Sequence, residues 1–204
     1  MIRLRVRIAL YAAALLAVFA AGCGLFETPS VRVLFDFEDD RDLDRVWWSC
    51  HDLFSLTAEH ASSGDHALRC DLGIGDYPGV RFHGFEKNWE EYDRLAFSIF
   101  QNGADTLTLV VRIDDTESGE EFSNRYNGRF PLPPGSTEIR VPLEDVRRAP
   151  EGRLMDLSRV EKLVVFLFRP GDPPVLWLDH IRLEKENPPR GAGFPRERSN
   201  GSID

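Results

Sequence analysis

The strongest constraint in this sequence is a run of short extended segments, each ended by turn chemistry, with no stretch in helical period long enough for a substantial helix. Val31, Val33, Phe35 and Phe37 alternate with Arg32, Leu34 and Asp36, the period of two expected of a half-buried strand. Residues 54–58 repeat that logic. Ser62-Ser63-Gly64-Asp65 then makes a turn before Ala67-Leu68-Arg69-Cys70, because glycine and short polar residues accept turn geometry. Residues 80–85, 95–100, 107–113, 125–132, 137–141, 163–168 and 175–183 complete about ten predicted strands. Residues 101–105, Pro133-Pro134-Gly135 and Pro170-Gly171-Asp172-Pro173 punctuate them, and only 143–146 and 155–160 suit a helical turn. Short strands with one greasy side must close sheet upon sheet, so the expected fold is all-β, an antiparallel β-sandwich of jelly-roll type.

The 204 residues give room for one domain of about 150 residues and short flanks. The predicted divisions are a signal at 1–22, a tether at 23–30, the sandwich at 31–184 and a disordered Pro-, Gly-, Arg- and Ser-rich tail at 185–204. The formal charge of −9 speaks against a nucleic-acid partner, which requires a concentrated basic surface. Residues 1–7 are basic through Arg3, Arg5 and Arg7, and an apolar run follows over 8–21. That run is short for a bilayer span and fits an export signal. Ala20-Ala21-Gly22-Cys23 resembles the bacterial lipobox, which implies acylation of Cys23 and anchoring to the bacterial cell membrane or outer membrane. Ala20 stands where leucine is usual, and an ordinary cleaved signal is the alternative.

Cys50 and Cys70 remain. An even pair in an exported domain suggests a disulfide, closing a loop that would add roughly 3 kcal/mol. Two buried thiols on neighbouring strands are the competing reading.

The order of landmarks says more than any one of them. Phe35-Asp36-Phe37-Glu38-Asp39 is followed by Ser63-Gly64 and Ala67-Leu68, then by Trp89-Glu90-Glu91-Tyr92-Asp93-Arg94-Leu95-Ala96-Phe97. Leu109-Val110-Val111-Arg112-Ile113-Asp114-Asp115, Arg125-Tyr126-Asn127, Leu132-Pro133-Pro134-Gly135 and Val141-Pro142-Leu143 come next, and Leu176-Trp177-Leu178-Asp179-His180-Ile181-Arg182-Leu183 closes the domain. This series resembles the galactose-binding-like jelly rolls that serve as carbohydrate-binding modules beside bacterial glycoside hydrolases, and the related complex I assembly-factor domain. The resemblance implies a structural Ca²⁺, with carboxylates from Glu38 and Asp179 and carbonyls from Asp36 and the Ser63-Gly64-Asp65 turn, the hard oxygen set calcium prefers. Carboxylates that merely cap the sheet rim are the alternative.

The resemblance also implies a glycan partner on a concave sheet face. By alternation Leu109, Val111 and Ile113 face the core, leaving Val110, Arg112 and Asp114 on the other side, and Arg125, Asn127 and Arg129 share one face of the next strand. Guanidinium, carboxylate and amide groups suit sugar hydroxyls, and Arg forks also suit carboxylated or sulfated sugars. Trp48, Tyr77, Trp89 and Tyr126 could stack on sugar rings, although Trp89 reads better as a packing anchor and Tyr126 as a buried ring. An exposed Arg112–Asp114 ion pair is the plainer account of that pair.

The five histidines show no metal-ligand spacing, and neither a nucleophile elbow nor a phosphate loop is present. The expected protein is therefore a monomeric, non-catalytic module. Its partner is a glycan or, in the alternative, a cell-envelope protein.

Overall fold

The structure, a computed structural model, describes residues 29–47 and 52–186. The strands are β1 (Val31–Phe35), β2 (Val46–Trp47), β3 (Leu53–Thr57), β4 (Ala67–Asp71), β5 (Gly79–Phe82), β6 (Arg94–Gln101), β7 (Leu107–Asp115), β8 (Tyr126–Leu132), β9 (Gly135–Pro142), β10 (Val160–Leu167) and β11 (Leu176–Glu184). One helix, α1 (Leu143–Arg148), and three 3₁₀ turns at Asp40–Arg45, Phe122–Asn124 and Leu157–Arg159 complete the described residues. The signal segment with Cys23, the stretch holding Trp48 and Cys50, and the tail beyond residue 186 lie outside them.

The strands assemble into two antiparallel sheets. One runs β3-β4-β11-β6-β9, with β1 also on β11, and the other runs β2-β5-β10-β7-β8. Alternation decides which side chains meet between them. Leu95, Phe97 and Ile99 of β6 and Leu176, Leu178, Ile181 and Leu183 of β11 face Leu109, Val111 and Ile113 of β7 and Leu163, Val165 and Leu167 of β10. Each such side chain removed from water contributes roughly 1.5–3 kcal/mol. Trp89 is completely buried, its indole Nε1 donating to the Glu86 carbonyl at 2.6 Å. It is the packing anchor, and it cannot stack on a sugar.

The first strand departs from its predicted faces. Val31 and Val33 are exposed while Leu34 and Phe35 are buried. A register shift between Val33 and Phe35 in the pairing with β11 turns the strand over, because one extra residue exchanges the faces of all that follow.

On β11 the pairing changes neighbours. Residues 176–178 pair with β4 and residues 181–184 with β1, with an irregularity on the β6 side between Asp179 and Arg182. This leaves a gap in the sheet at Asp179. The turn between β3 and β4 fills it.

Cys70 faces the core as a fully buried thiol, free among the described residues. Its expected partner, Cys50, lies outside the described residues. Burial pushes the Cys70 thiol well above the usual cysteine range, so it stays protonated and packs as a small apolar side chain.

Candidate functional site

Strand register carries the outward residues of the five-stranded sheet into rows. Trp47 pairs with Arg81, Arg81 with Val164, Val164 with Arg112 and Arg112 with Asn127. The next row holds Gly79, Phe166, Val110 and Arg129. Neighbouring strands lie about 4.8 Å apart, so these rows cross the whole sheet and make the floor of a groove of about 530 Å³. Gly79 keeps the row low, because a Cβ there would come within 2.3 Å of the Val165 carbonyl oxygen.

Loops raise the walls. Tyr77, from the segment before β5, packs edge-on against Phe166 with ring centroids 6.0 Å apart and lies 5.8 Å from Phe168. Phe122, in the 3₁₀ turn between β7 and β8, stands on the opposite side with the Arg125 guanidinium 5.6 Å from its ring. Arg129 lies over Phe168 at 4.4 Å. Trp47, Tyr77 and Phe122 are 62%, 55% and 66% exposed, an unusual display of large rings around one cavity, and each offers an apolar plane beside polar groups.

Of the residues read from sequence as ligand-binding, Tyr77, Arg112, Arg125, Asn127 and Arg129 all line this groove. Trp48 lies outside the described residues, whereas its neighbour Trp47 lines the groove. Asp114 does not line it. Its carboxylate is only 1% exposed, takes two hydrogen bonds from Arg112 at 2.8 and 2.5 Å, and has Lys162 Nζ at 3.5 Å. The pair expected to be exposed is therefore a buried clamp that aims Arg112 and raises its pKa. Tyr126 is half-buried and packs against the core; burial holds its hydroxyl at about 12.

Sequence reasoning missed Trp47, Arg81, Phe122, Val164, Phe166 and Phe168. The signal for Arg81 was present, since Val80 and Phe82 take the core side. Val164 and Phe166 alternate with Leu163, Val165 and Leu167, and a strand apolar on both faces is a sign that its outer face is also covered or used.

The loop bearing Phe122 and Arg125 is held by a buried polar network. Arg153 donates to Asp115 at 2.6 and 2.8 Å and to the Asn124 side chain at 2.5 Å, and Asp115 also accepts from Ser118 Oγ and the Asp156 amide at 2.8 Å each. Burial alone would raise the Asp115 carboxyl, but these donors outweigh it and hold it at about 2.

At the sheet gap, Glu38 and Asp179 converge on the β3–β4 turn. Asp179 Oδ2 accepts from Ser62 N at 2.6 Å, Ser62 Oγ at 2.8 Å and Ser63 N at 2.8 Å, and Oδ1 accepts from His180 N at 2.6 Å. Glu38 Oε1 accepts from the Asp65 and His66 amides at 2.8 and 2.9 Å. Those amides, His66 foremost, draw Glu38 below the usual carboxylate range. Gly64 has φ +64°, and a Cβ there would meet Glu38 Oε1 at 2.3 Å, so only glycine brings the turn this close. Asp36 is exposed just beyond β1, and Ser63 meets Asp179 through its N–H. The turn thus presents N–H donors to both carboxylates.

A second, smaller groove of about 350 Å³ lies on the other sheet, lined among others by His60, Phe100, Trp177 and Arg182. His60 stacks on Phe100 at 3.5 Å. Arg182 is bound by Glu184 at 2.7 Å and Glu138 at 2.5 Å, so its charge is spent inside the protein.

No protein-family model and no curated protein sequence matches the chain. Solved structures do. A family 11 carbohydrate-binding module from Clostridium thermocellum, in complex with a β-1,3-1,4-mixed-linked tetrasaccharide, is 12% identical over 78% of this chain and 98% of that one, with a TM-score of 0.57. A CBM22-1 xylan-binding domain from Paenibacillus barcinonensis Xyn10C is 11% identical over 78% of this chain and 99% of that one, at TM-score 0.52. An exo-β-agarase is 15% identical over 76% of this chain at TM-score 0.60, with only 25% of the agarase covered. At these identities the likeness is one of fold: the chain is a jelly-roll β-sandwich, as these structures are.

Proposed function

We propose that the chain is a non-catalytic carbohydrate-binding module that holds an extended glycan across its five-stranded sheet. The observation that carries this reading is the row Trp47–Arg81–Val164–Arg112–Asn127, walled by Tyr77 and Phe122. Flat aromatic planes bear on the faces of sugar rings, while guanidinium and amide groups bond to hydroxyls at the ring edges. The floor is rigid sheet, so binding orders few side chains beyond those already stacked.

Arg112 is a poor residue to remove as a test, because its loss strands the buried Asp114 carboxylate. Trp47→Ala and Arg129→Ala take away exposed groups and leave the core alone. Each is expected to weaken binding of a glycan-array hit by about tenfold with an unchanged melting temperature. Array silence, together with co-purification of one defined envelope protein, would turn the reading to a protein-interaction domain.

In this reading the N-terminal segment exports the module and an acyl group on Cys23 tethers it at the cell envelope. Cells expressing the chain should incorporate labelled palmitate into it, and Cys23→Ser should abolish the label; equal labelling of both would remove the anchor from the proposal.

A further inference from the structure

The charge inside the groove does not match the charge of the chain. The protein carries 34 acidic against 25 basic residues, yet among the described residues the groove is lined by Arg81, Arg112, Arg125 and Arg129 and by no carboxylate. Asp114, lying beneath, is shared between Arg112 and Lys162, so even there cations outnumber acids. Arg81, Arg125 and Arg129 have no carboxylate within ion-pair distance among the described residues. The buried Nε of Arg125 has no hydrogen-bond partner among the described residues. Burial and then the neighbouring Arg112 charge press the Arg125 pKa downward, outweighing the carboxylates of Asp114 and Glu120. Such crowding disfavours the empty groove and is relieved when an anion enters. The smaller groove on the other sheet gives the contrast, since Arg182 there is neutralised by Glu138 and Glu184.

Resting on the reading above, we infer that the ligand of this groove is an anionic glycan, one whose sugar rings carry carboxylate or sulfate groups within reach of the arginines. The guanidinium fork matches the paired oxygens of either group. Trp47, Tyr77, Phe166 and Phe168 supply the apolar planes for the rings, which a bare anion would not use.

Titration calorimetry on the whole chain tests this with four probes: an oligogalacturonate, a sulfated carrageenan oligosaccharide, xylohexaose and a mixed-linkage β-glucan tetrasaccharide. One or both of the charged probes should bind more tightly than the neutral ones, and whichever does identifies the group as carboxylate or sulfate. Its affinity should fall steeply between low and physiological salt, as attraction between a solvent-open cationic groove and a charged ligand requires. Arg125→Gln should weaken it by roughly tenfold or more and weaken the neutral probes by much less, with an unchanged melting temperature. Tighter, salt-insensitive binding of a neutral probe overturns the inference and leaves the glycan-binding reading standing. Failure of all four probes overturns both. A single-stranded oligonucleotide is the fifth, control titrant, and its equal binding shows a generic polyanion site and overturns the inference as well.

Discussion

Asp179→Ala is expected to lower the stability of this domain by about 3–5 kcal/mol, since it removes several charge-assisted hydrogen bonds worth about 1.5–3 kcal/mol each. The carboxylate is 1% exposed and stands where β11 changes partner from β4 to β1. At that point no strand is available to receive the amides of residues 62 and 63, and the carboxylate accepts both of them, the Ser62 hydroxyl and the His180 amide. Alanine would leave these donors without acceptors, each at its own desolvation cost. Against a total stability of about 5–15 kcal/mol, the melting temperature should drop on the order of 10 °C. A melting temperature within a degree or two of wild type would mean that water serves the turn equally well. Repeating the melts in calcium and in chelator addresses the ion implied by the resemblance. A calcium-dependent rise in the wild type that Asp179→Ala lacks supports it, and identical curves leave the turn to its amide bonds.

The second large effect is expected at Asp115, and it joins stability to the groove. Its carboxyl is held at about 2 by Arg153, the Asp156 amide and Ser118 despite burial, against roughly 4 in an unfolded chain. A depressed carboxylate contributes stability that is complete above the unfolded value and is lost as pH falls through the folded one. Here that contribution is about 2–3 kcal/mol, and the window runs from roughly pH 4 down to 2. Urea unfolding of the wild type should therefore steepen its loss of stability in that window, and Asp115→Asn should flatten the extra slope while being less stable at neutral pH. Because the same network fixes Asn124, it also sets the loop that presents Phe122 and Arg125. Arg153→Gln should weaken glycan binding although Arg153 is not among the residues lining the groove. Unchanged binding in a folded Arg153→Gln protein would separate the network from the site.

The local chemistry of the chain was enough to settle most of its strands and which way they face, β1 being an exception. Leu109, Val111 and Ile113 are greasy at every second position, so Arg112 had to point away from the core. The same parity put Arg125, Asn127 and Arg129 on one side, and the structure gathers all four into the groove. Glycine, proline and short polar residues marked the turns, because backbone geometry there is a property of neighbouring residues. Those are interactions over a few positions, and a sequence displays them directly.

What the sequence could not display is anything set by register between distant segments. Trp47, Arg81, Phe166 and Phe168 belong to the groove only because β2, β5 and β10 lie beside β7 in that order. No local pattern encodes strand order, which is decided by how the two inner faces fill space together. The bulge that turns over Val31 and Val33 arises where β1 pairs with β11. Asp114 is sealed beneath Arg112 and Lys162 because β10 brings the lysine across. The amides that claim Glu38 and Asp179 reach them from a turn far along the chain. Alternation determined the faces of most strands, and long-range packing decided the face of β1 and which faces became neighbours.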